Sequence, residues 1–508
     1  MSAIARPYGA KRWAGLERLI CLNQVATVAV FISILAVAVL PRFDADLWWH
    51  LYVGSHILSH GVPGSDFLSF TVRGKPWIDH EWLSEIGMFG VYKLGGLKLL
   101  LLLFGLVITA AFAFVYLMMK LRGVNQILAL TITVLAAAST VGGWGPRIQM
   151  LSLLFTAGFC FALERYRATA GMEWLIGLVV GSWIWSNLHG GFVIGLLLMA
   201  VYLVGGAIDR VQGGMTWKQA TRSQKPFLLA LVGATLVTAI NPNTYRQLEY
   251  PLKFLTPNSF TNTIQESLSP NFHLYQLLPF ELMLIGLIVC AFIVRRRVSW
   301  VDVLLCACFT HLALQQTRNV ALWCVVVAPI FAVFFQEAAM PLFQRWRSAN
   351  RPVSSRATIP TSAVLLLLML VAGSLSILRA NSTSTVLAAE RSSFPAGGMA
   401  YIETHHLGGR VFNSYDLGGY AIWNTNAAFP VFIDSRADTV YTGQVLQDYL
   451  TIYNAQPGWA RLLQQYRIQW LFVEPSAPIA VVLAQRPGWR MMFHGDLSTI
   501  IDYKGGGK

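Results

Sequence analysis

Two aspartates stand where the first long apolar run of the chain ends. Asp44 and Asp46 are separated by one alanine, and the pair Trp48-Trp49 follows them at once. Carboxylates at the water-facing end of a membrane span are costly to hold near lipid, whereas tryptophans favour the membrane interface. A carboxylate in that position can take a proton from an acceptor hydroxyl. The sequence therefore predicts a catalytic site here, with Asp44 or Asp46 as the general base.

A plainer interpretation of the same pair is structural. Both aspartates could stabilise the positive N-terminal end of the helix that follows them. The sequence leaves this alternative open. It favours Asp44 over Asp46 as the base only slightly, because Asp44 lies nearer the end of the span.

The composition of the chain predicts an integral membrane protein. Of 508 residues, 55% are hydrophobic and 12% are charged, and the mean hydropathy is +0.53. These values exclude a soluble protein of this size. The first apolar run lacks the cleavage pattern of a secretion signal and is interpreted as a retained anchor. The hydropathy pattern predicts about eleven spans, at residues 21–41, 97–119, 127–142, 148–163, 174–188, 191–208, 227–240, 279–294, 301–314, 320–336 and 361–379.

The net charge of +14 reports the orientation of these spans. If the N-terminus is cytoplasmic, most Lys and Arg residues fall in the cytoplasmic loops, as the positive-inside rule requires. Anionic lipid heads then account for the basic excess, and no nucleic acid is needed. We expect a bacterial inner-membrane protein whose first outer loop and C-terminal tail lie outside the cytoplasm.

Three parts follow from this pattern. Residues 1–20 form a basic cytoplasmic leader, residues 21–380 form the membrane body with its first outer loop at 42–96, and residues 381–508 form an extracytoplasmic α/β domain. Residues 382–395 are rich in Ser and Thr and are typical of a linker. The later pattern predicts strands at 410–415, 420–423, 430–433 and 470–473 and helices at 443–453 and 458–466.

The first outer loop itself contains two amphipathic segments. Residues 47–59 have apolar residues at helical spacing until the Gly61-Val62-Pro63-Gly64 turn, and residues 80–94 repeat the pattern until Gly95-Gly96. Their tryptophans predict juxtamembrane helices that lie in the interface beside the carboxylates. These tryptophans are Trp48, Trp49, Trp77 and Trp82.

This loop resembles the first outer loop of the glycosyltransferase C (GT-C) superfamily. The likeness is carried by the Asp44-to-His50 segment DADLWWH, the turn at Gly61, Asp66-Phe67, and the Gly74-to-Trp77 segment GKPW. The most similar patterns are those of bacterial dolichyl-phosphate-mannose protein mannosyltransferases and lipid A aminoarabinose transferases. The resemblance implies a GT-C-like body and an inverting hexosyltransferase that uses a polyprenyl-phosphate sugar. It also implies a base in the acidic pair and a role for Lys75, although the two acids are usually adjacent in those families.

Other outer-loop groups could bind the phosphate of such a donor. Arg147, His189 and Arg318 each lie at the end of a later span on the side of the acidic pair, and the glycines after His189 allow close backbone approach. With Lys75 they form the predicted phosphate cradle. In the alternative interpretation, the glycines only end helices and the arginines extend to the interface.

A metal site is a further hypothesis. His50, His56, His60 and the pair His80-Glu81 could bind Zn²⁺, or the acids could bind Mg²⁺ or Mn²⁺. The spacing matches no compact signature, so no metal ligand is assigned, and a divalent cation stays an open alternative. His50, His80, Glu81 and Glu266 remain candidate site residues without a defined role.

In the tail, the segment from Asp434 to Asp438 follows a predicted strand. We interpret Asp434 and Arg436 as a buried ion pair that fixes a loop, in preference to a reactive group. The whole pattern predicts a polytopic α-helical membrane enzyme that transfers a sugar to a lipid, glycan or protein acceptor. The alternatives are a polar-lipid transporter or flippase, or a non-catalytic assembly protein of the cell envelope. The spans show no inverted repeat and almost no mid-span charge, which disfavours transport.

Overall fold

The computed structural model describes residues 22–253, 264–294, 297–349 and 359–503. The predicted leader at 1–20 lies outside the described residues. The body consists of packed apolar helices, and each of the eleven predicted spans coincides with a helix or a bent pair of helices. The helices are α1 (Leu22–Ala38), α2 (Asp46–His60), α3 (Trp82–Leu121), α4 (Gln126–Ala138), α5 (Gln149–Thr169), α6 (Met172–Leu188), α7 (Phe192–Gln212), α8 (Trp217–Ser223), α9 (Lys225–Val237), α10 (Arg246–Lys253), α11 (Leu278–Ile293), α12 (Trp300–Gln315), α13 (Val320–Val326), α14 (Ala328–Ala349) and α15 (Ile359–Ala380).

Helix length does not establish eleven spans. Among the described residues, three helical stretches are long and apolar enough to cross a membrane by themselves: Trp82–Leu121, Phe192–Gln212 and Tyr275–Ile293. Two bent pairs, at 317–339 and 366–393, raise the number to five if each is one span. Several other body helices are apolar but only 10–17 residues long.

Helix α3 is interrupted at the two glycines that the sequence singled out. Gly95 has φ −154°. Gly96 has φ +62° with ψ −157°, a backbone conformation that residues with a Cβ rarely adopt. The interruption separates an outer part, from Trp82 to the glycines, from the apolar part that follows. The predicted helix that ends at Gly95-Gly96 is confirmed.

The outer part of α3 packs closely on α2. Helix α2 ends at Gly61, which has φ +82°, so the predicted first helix of the loop is also confirmed. At the crossing, a Cβ on Gly54 would lie 2.2 Å from the backbone oxygen of Glu85. The glycine therefore allows the two helices to approach backbone to backbone.

The tail contains a small mixed sheet surrounded by helices. Strand β1 (Val411–Asn413) pairs in parallel with β2 (Trp470–Val473). Strand β4 (Thr499–Tyr503) pairs antiparallel with both β2 and β3 (Trp489–His494), so the strand order is β1-β2-β4-β3. The predicted α/β character of the tail is confirmed. Its elements are α16 (Thr383–Ser393), α17 (Ala396–Thr404), β1 (Val411–Asn413), α18 (Tyr415–Asn424), α19 (Gly443–Tyr453), α20 (Trp459–Gln465), β2 (Trp470–Val473), α21 (Pro478–Ala484), β3 (Trp489–His494) and β4 (Thr499–Tyr503).

Some local predictions in the tail are wrong. The predicted linker at 382–395 contains helix α16, whose first turn is capped by the Ser382 hydroxyl. The predicted strand at 420–423 lies inside α18, because a four-residue apolar run fits a buried helix face as well as a strand. The segment 430–433 contributes only a bridge, in which Val431 pairs with Ser69 of the first outer loop.

That bridge is part of a broad contact between the tail and the first outer loop. The ring of Trp48 packs edge-on against Phe394 at 5.4 Å and against Tyr420 at 5.1 Å. Trp48, Trp49 and Trp77 are at most 5% exposed. The prediction that these three tryptophans lie in the membrane interface is therefore wrong, because the tail covers them.

The loops that the charge pattern places on the outer side meet at one end of the helical body. Arg42 donates to the carbonyl of Val141 at 2.8 Å, and Asn243 donates to the carbonyl of Asp79 at 2.7 Å. The backbone N–H of Thr317 donates to Leu268 at 2.8 Å. Groups that are far apart in the sequence are thereby brought around Asp44.

Candidate functional site

Asp44, Arg147 and Glu266 form an ion triad at this end of the body. Arg147 Nε lies 3.1 Å from Asp44 Oδ2, and Arg147 Nη2 lies 2.7 Å from Glu266 Oε1. Asp44 precedes α2, Arg147 precedes α5, and Glu266 lies in the short 3-10 segment Gln265–Ser267. Three separate loops thus bring together three residues that the sequence proposed individually.

The triad is open to the surroundings on its acidic side. The side chain of Asp44 is 24% exposed and that of Glu266 is 47% exposed, whereas Arg147 is 15% exposed. Burial lowers the pKa of Arg147, but the charges of Asp44 and Glu266 outweigh it and hold that pKa above its usual value. The guanidinium keeps its charge and keeps a reachable carboxylate beside it.

Asp46 differs from Asp44 in its surroundings. The backbone N–H of Asp46 donates to Asp44 Oδ1 at 2.9 Å, and Trp49 Nε1 donates to Asp46 Oδ1 at 3.2 Å. Burial and the negative charge of Asp44 raise the pKa of Asp46 to about 8. At neutral pH Asp46 therefore holds a proton. Asp44 thus accepts one backbone N–H at the start of α2 and pairs with Arg147 as well, whereas the N-cap residue Ala45 makes no side-chain cap.

A second cluster lies one turn further along α2. His50 Nδ1 is 3.0 Å from Glu85 Oε1, and His50 Nε2 is 3.7 Å from Glu81 Oε2. All three side chains are buried. Burial, followed by the charges of Asp46 and Asp79, raises the pKa of Glu81 well above its usual range.

His80 and His189 face the same carboxylate. Their Nε2 atoms lie 3.6 Å and 3.3 Å from Glu81 Oε1. Burial lowers the pKa of His80 to about 3 and that of His189 to about 4. His189 is therefore a neutral imidazole and not the cation that a phosphate cradle would need.

The tautomer of His189 follows from its other ring nitrogen. Nδ1 accepts the backbone N–H of Gly191 at 2.9 Å and lies 2.7 Å from the Ser152 hydroxyl. An imidazole nitrogen that accepts a backbone N–H carries no proton itself. The ring proton is thus on Nε2, which faces Glu81.

The two remaining predicted cations are not equally placed. Arg318 is exposed in the segment Thr317–Asn319, donates to Gln316 Oε1 at 2.9 Å, and contributes to lowering the pKa of His189. Lys75 is exposed at a turn where its backbone pairs with Asp66 and Val72. Within the described part of the chain, the Lys75 side chain shows no contact with Asp44 or Arg147.

Exposure also separates the remaining predicted histidines from the buried cluster. His56 and His60 stack on each other at 4.2 Å near the end of α2, and His60 is exposed. They do not join His50. The hypothesis that His50 shares a metal ion with His56 and His60 is not supported, because the helix turns His50 toward Glu81 and Glu85.

The tail contributes a buried ion cluster beside this region. Arg436 donates to Asp434 through Nε at 2.8 Å and Nη2 at 2.7 Å, and its Nη1 lies 2.7 Å from Asp66 Oδ1. The guanidinium also lies 4.8 Å from the ring centre of Trp77. The predicted buried pair of Asp434 and Arg436 is confirmed, whereas its third partner, Asp66, was missed.

Helix α18 of the tail also touches the acidic pair. A Cβ on Gly419 would lie 2.8 Å from the backbone oxygen of Ala45, the residue between the two aspartates. Nothing in the local sequence around Gly419 indicates this contact, because it depends on how the tail docks. The tail is therefore one wall of the candidate site.

No protein-family model and no curated protein sequence matches the chain. Solved structures do. The apo oligosaccharyltransferase of Archaeoglobus fulgidus matches with a TM-score of 0.54 at 11% identity, over 89% of this chain and 69% of that one. AglB of the same organism, in complex with an inhibitory peptide and a dolichol-phosphate, matches with 0.52 at 11% identity, over 92% and 70%. Apo ArnT of Cupriavidus metallidurans matches with 0.50 at 12% identity, over 97% and 98%.

These likenesses concern the fold. The matched proteins are an oligosaccharyltransferase and ArnT, and this chain shares their architecture over most of its length. The predicted likeness in fold to these transferases is confirmed, and three helical stretches of the described residues are long and apolar enough to cross a membrane. At 11–12% identity, the chemistry has to be argued from this chain's own residues.

Proposed function

We propose that this protein is an integral-membrane glycosyltransferase that moves a sugar from a polyprenyl-phosphate donor to an extracytoplasmic acceptor. The observation that carries the proposal is the accessible Asp44 carboxylate, held beside Arg147 where three loops meet. The shared fold supports the reaction class. The dolichol-phosphate bound to AglB supports a lipid phosphate as the donor class.

Asp44 acts as the general base in this proposal. Its carboxyl group is partly exposed and lies 3.1 Å from the Arg147 guanidinium, whereas Asp46 is protonated at neutral pH. Asp44 takes the proton of the acceptor hydroxyl, and the acceptor oxygen forms a bond to the anomeric carbon. The bond from that carbon to the phosphate oxygen breaks, and polyprenyl phosphate leaves. Attack opposite the leaving group inverts the anomeric centre.

The donor phosphate needs positive charge nearby. Arg147 is occupied by Asp44 and Glu266, so its main role is to hold the base and to balance the acids. Arg318 is an exposed cation near His189, and the Nε2 proton of His189 is a neutral donor. We assign the phosphate contact to Arg318, with Lys75 as a contact that requires movement of its turn, because the Nε2 proton of His189 is directed at Glu81.

The orientation is part of the proposal. The end of the body that carries Asp44 corresponds to the loops poor in Lys and Arg, and the opposite end carries Arg122, Arg167 and Arg210. The positive-inside rule then puts Asp44 and the tail on the outer face of a bacterial inner membrane. The acceptor is an extracytoplasmic lipid, glycan or protein, and the peptide bound to AglB makes a peptide one acceptor to test.

The test is sugar transfer in proteoliposomes supplied with labelled polyprenyl-phosphate sugars. Asp44→Asn should lower turnover by about 10²–10⁴-fold, the usual contribution of a general base, while donor binding is retained. Glu403→Gln, an exposed tail acid at the end of α17, is the matched control and should not change turnover.

Unchanged transfer by Asp44→Asn would contradict the proposal. A flippase would move fluorescent polar lipid across the bilayer equally well in both variants, without any sugar transfer. An assembly protein would show neither activity.

A further inference from the structure

The cluster of His50, Glu81 and Glu85 has no part in the transfer step described above. The three residues lie between α2 and the outer part of α3, and they are 2%, 5% and 0% exposed. Ionisable side chains are seldom buried this deeply unless a partner charge, a proton or a metal ion compensates them. The cluster therefore needs an explanation of its own.

Helix geometry brings the three side chains to one point. His50 and Gly54 are four residues apart on one face of α2, and Glu81 and Glu85 are four residues apart at the start of α3. The backbone contact at Gly54 sets the distance between these two faces. As a result, one ligating atom from each of His50, Glu81 and Glu85 lies within 4.8 Å of the others.

The acids in this region outnumber the cations among the described residues. Oε2 of Glu85 and Oδ2 of the neighbouring Asp79 are buried and accept no N–H or O–H from any other group, and the two carboxyl groups contact each other. The nearby buried cation, Arg436, is already paired with Asp66 and Asp434. A buried carboxylate oxygen without a donor costs free energy unless a positive ion contacts it.

We propose that His50, Glu81 and Glu85 bind a divalent transition-metal ion, and that Zn²⁺ is the ion that fits these donors best. Imidazole nitrogen with carboxylate oxygens is a donor set that Zn²⁺ accepts in four-coordinate sites, whereas Mg²⁺ favours oxygen donors and retains water. His80 Nε2 lies 3.6 Å from Glu81 Oε1, beside the group but outside its three ligands, which leaves the fourth position to water.

His189 orients the proposed ligand Glu81. Because Nδ1 of His189 accepts the Gly191 N–H, the Nε2 proton points toward Glu81 Oε1 at 3.3 Å. His189 is thus a donor to the carboxylate and not itself a ligand. A hydrogen bond of this kind fixes a ligating carboxylate and is a regular feature of protein metal sites.

The bound ion would fasten α2 to α3. Asp46 is the first residue of α2, and Asp44 lies two residues before it, so the ion would hold the helix on which the acidic pair is mounted. This inference concerns ion binding and helix packing. It does not depend on the proposed transferase activity.

The experiment uses the full-length chain in detergent, stripped with a chelator and dialysed against Zn²⁺. Metal content by mass spectrometry should approach one ion per chain, and Zn²⁺ should raise the unfolding temperature of the stripped protein. Glu81→Gln and His50→Gln should each lose the ion and the temperature shift. The double variant His56→Gln/His60→Gln, which removes an accessible histidine pair from the same helix, should retain both.

Three results would overturn the inference. The first is that the stripped wild-type chain takes up no Zn²⁺ and shows no shift. The second is that Glu81→Gln retains the ion. The third is that only the His56→Gln/His60→Gln variant loses it. If the two ligand variants do not fold, the wild-type chain alone tests the inference. Zn²⁺ should raise its unfolding temperature, and Mg²⁺ at the same concentration should not. No arm measures sugar transfer, so failure here and failure of the proposed function are separate results.

Discussion

Two arginines at opposite ends of the membrane body each lie between two carboxylates. At the end that the charge pattern predicts to be cytoplasmic (the inner end), Arg122 donates to Glu164 at 3.2 and 2.8 Å and to Asp302 at 2.9 Å. At the outer end, Arg147 pairs with Asp44 and Glu266. The inner acids are 9% and 7% exposed, whereas the outer acids are 24% and 47% exposed. One arginine and two carboxylates therefore form a nearly buried cluster at one end of the body and a more exposed cluster at the other.

The surroundings of the inner cluster strengthen this contrast. The Tyr202 hydroxyl also donates to Glu164 at 2.6 Å. A cavity of about 460 Å³ adjoins the cluster, and three arginines and three acids line it, so their charges balance. Such a cavity offers no net charge to an ionic ligand. The lining charged residues are Arg122, Arg167, Arg297, Glu164, Asp209 and Asp302.

The same substitution, Arg to Lys, can be made at each arginine cluster, and the contrast predicts three different outcomes. The largest loss of stability is expected for Arg436→Lys in the tail, where Arg436, Asp66 and Asp434 have fully buried side chains. Lysine cannot donate to both carboxylates in the fork geometry, so unfolding should become easier by about 3–5 kcal/mol. Thermal unfolding in detergent measures this. Arg461→Lys, at an exposed position, is the control, and equal losses in the two variants would contradict the role of the cluster.

A smaller loss is expected for Arg122→Lys. One or more hydrogen bonds to Glu164 and Asp302 are lost, at a cost of about 1.5–3 kcal/mol for a bond to a charged group. Turnover per folded molecule should not change, because this cluster lies at the opposite end from Asp44. A fall in turnover without a fall in unfolding temperature would remove the distinction between the two ends.

Arg147→Lys should have the reverse profile. Glu266 is exposed and Asp44 is partly exposed, so the loss of stability should be about 1 kcal/mol and smaller than that of Arg122→Lys. An ammonium group cannot keep both Asp44 and Glu266 in place, and displacement of the base can reduce turnover by up to about a hundredfold. Turnover assays in proteoliposomes measure this. A loss of stability as large as that of Arg122→Lys, with turnover intact, would make the outer triad structural as well.

The last prediction concerns pH dependence. The pKa of Asp46 is raised from 3.8 to about 8, so the folded protein binds a proton in this interval that the unfolded chain has released. The associated stability is complete below the unfolded pKa and is lost as the pH rises toward 8. Asp46→Asn should flatten this decline in a series of unfolding curves from about pH 5 to about pH 9. Parallel curves for the variant and wild type would show that Asp46 is not the group that titrates.

The residues of the outer triad could be predicted from the sequence because their positions relative to the apolar spans mark them as outer-loop residues. Asp44 and Arg147 lie where apolar helices end or begin, Glu266 lies in a loop on the same side, and polar groups at one end of a bundle have to meet. The match of Asp66 with Arg436 could not be found in this way, since nothing near either residue indicates the other. Glu85 had a local signal that went unused, because it stands one helical turn after the candidate Glu81.

The burial of the tryptophans shows the same limit. An apolar ring beside a membrane span is suited to the interface and equally suited to a protein contact. Trp48 packs against Phe394 and Tyr420. Only the docking of the tail decides between the two surroundings, and docking is a property of the whole chain.

The contact between the first outer loop and the tail has a consequence for biosynthesis. Thr71 donates to the carbonyl of Phe432, a partner 361 residues later in the chain. A ribosome adding roughly 5–20 residues per second needs tens of seconds to deliver that partner. During this interval Asp66 and the tryptophans of the loop are not covered by the tail. A chain truncated before Arg436 would keep these side chains exposed, and quality-control proteases could recognise them.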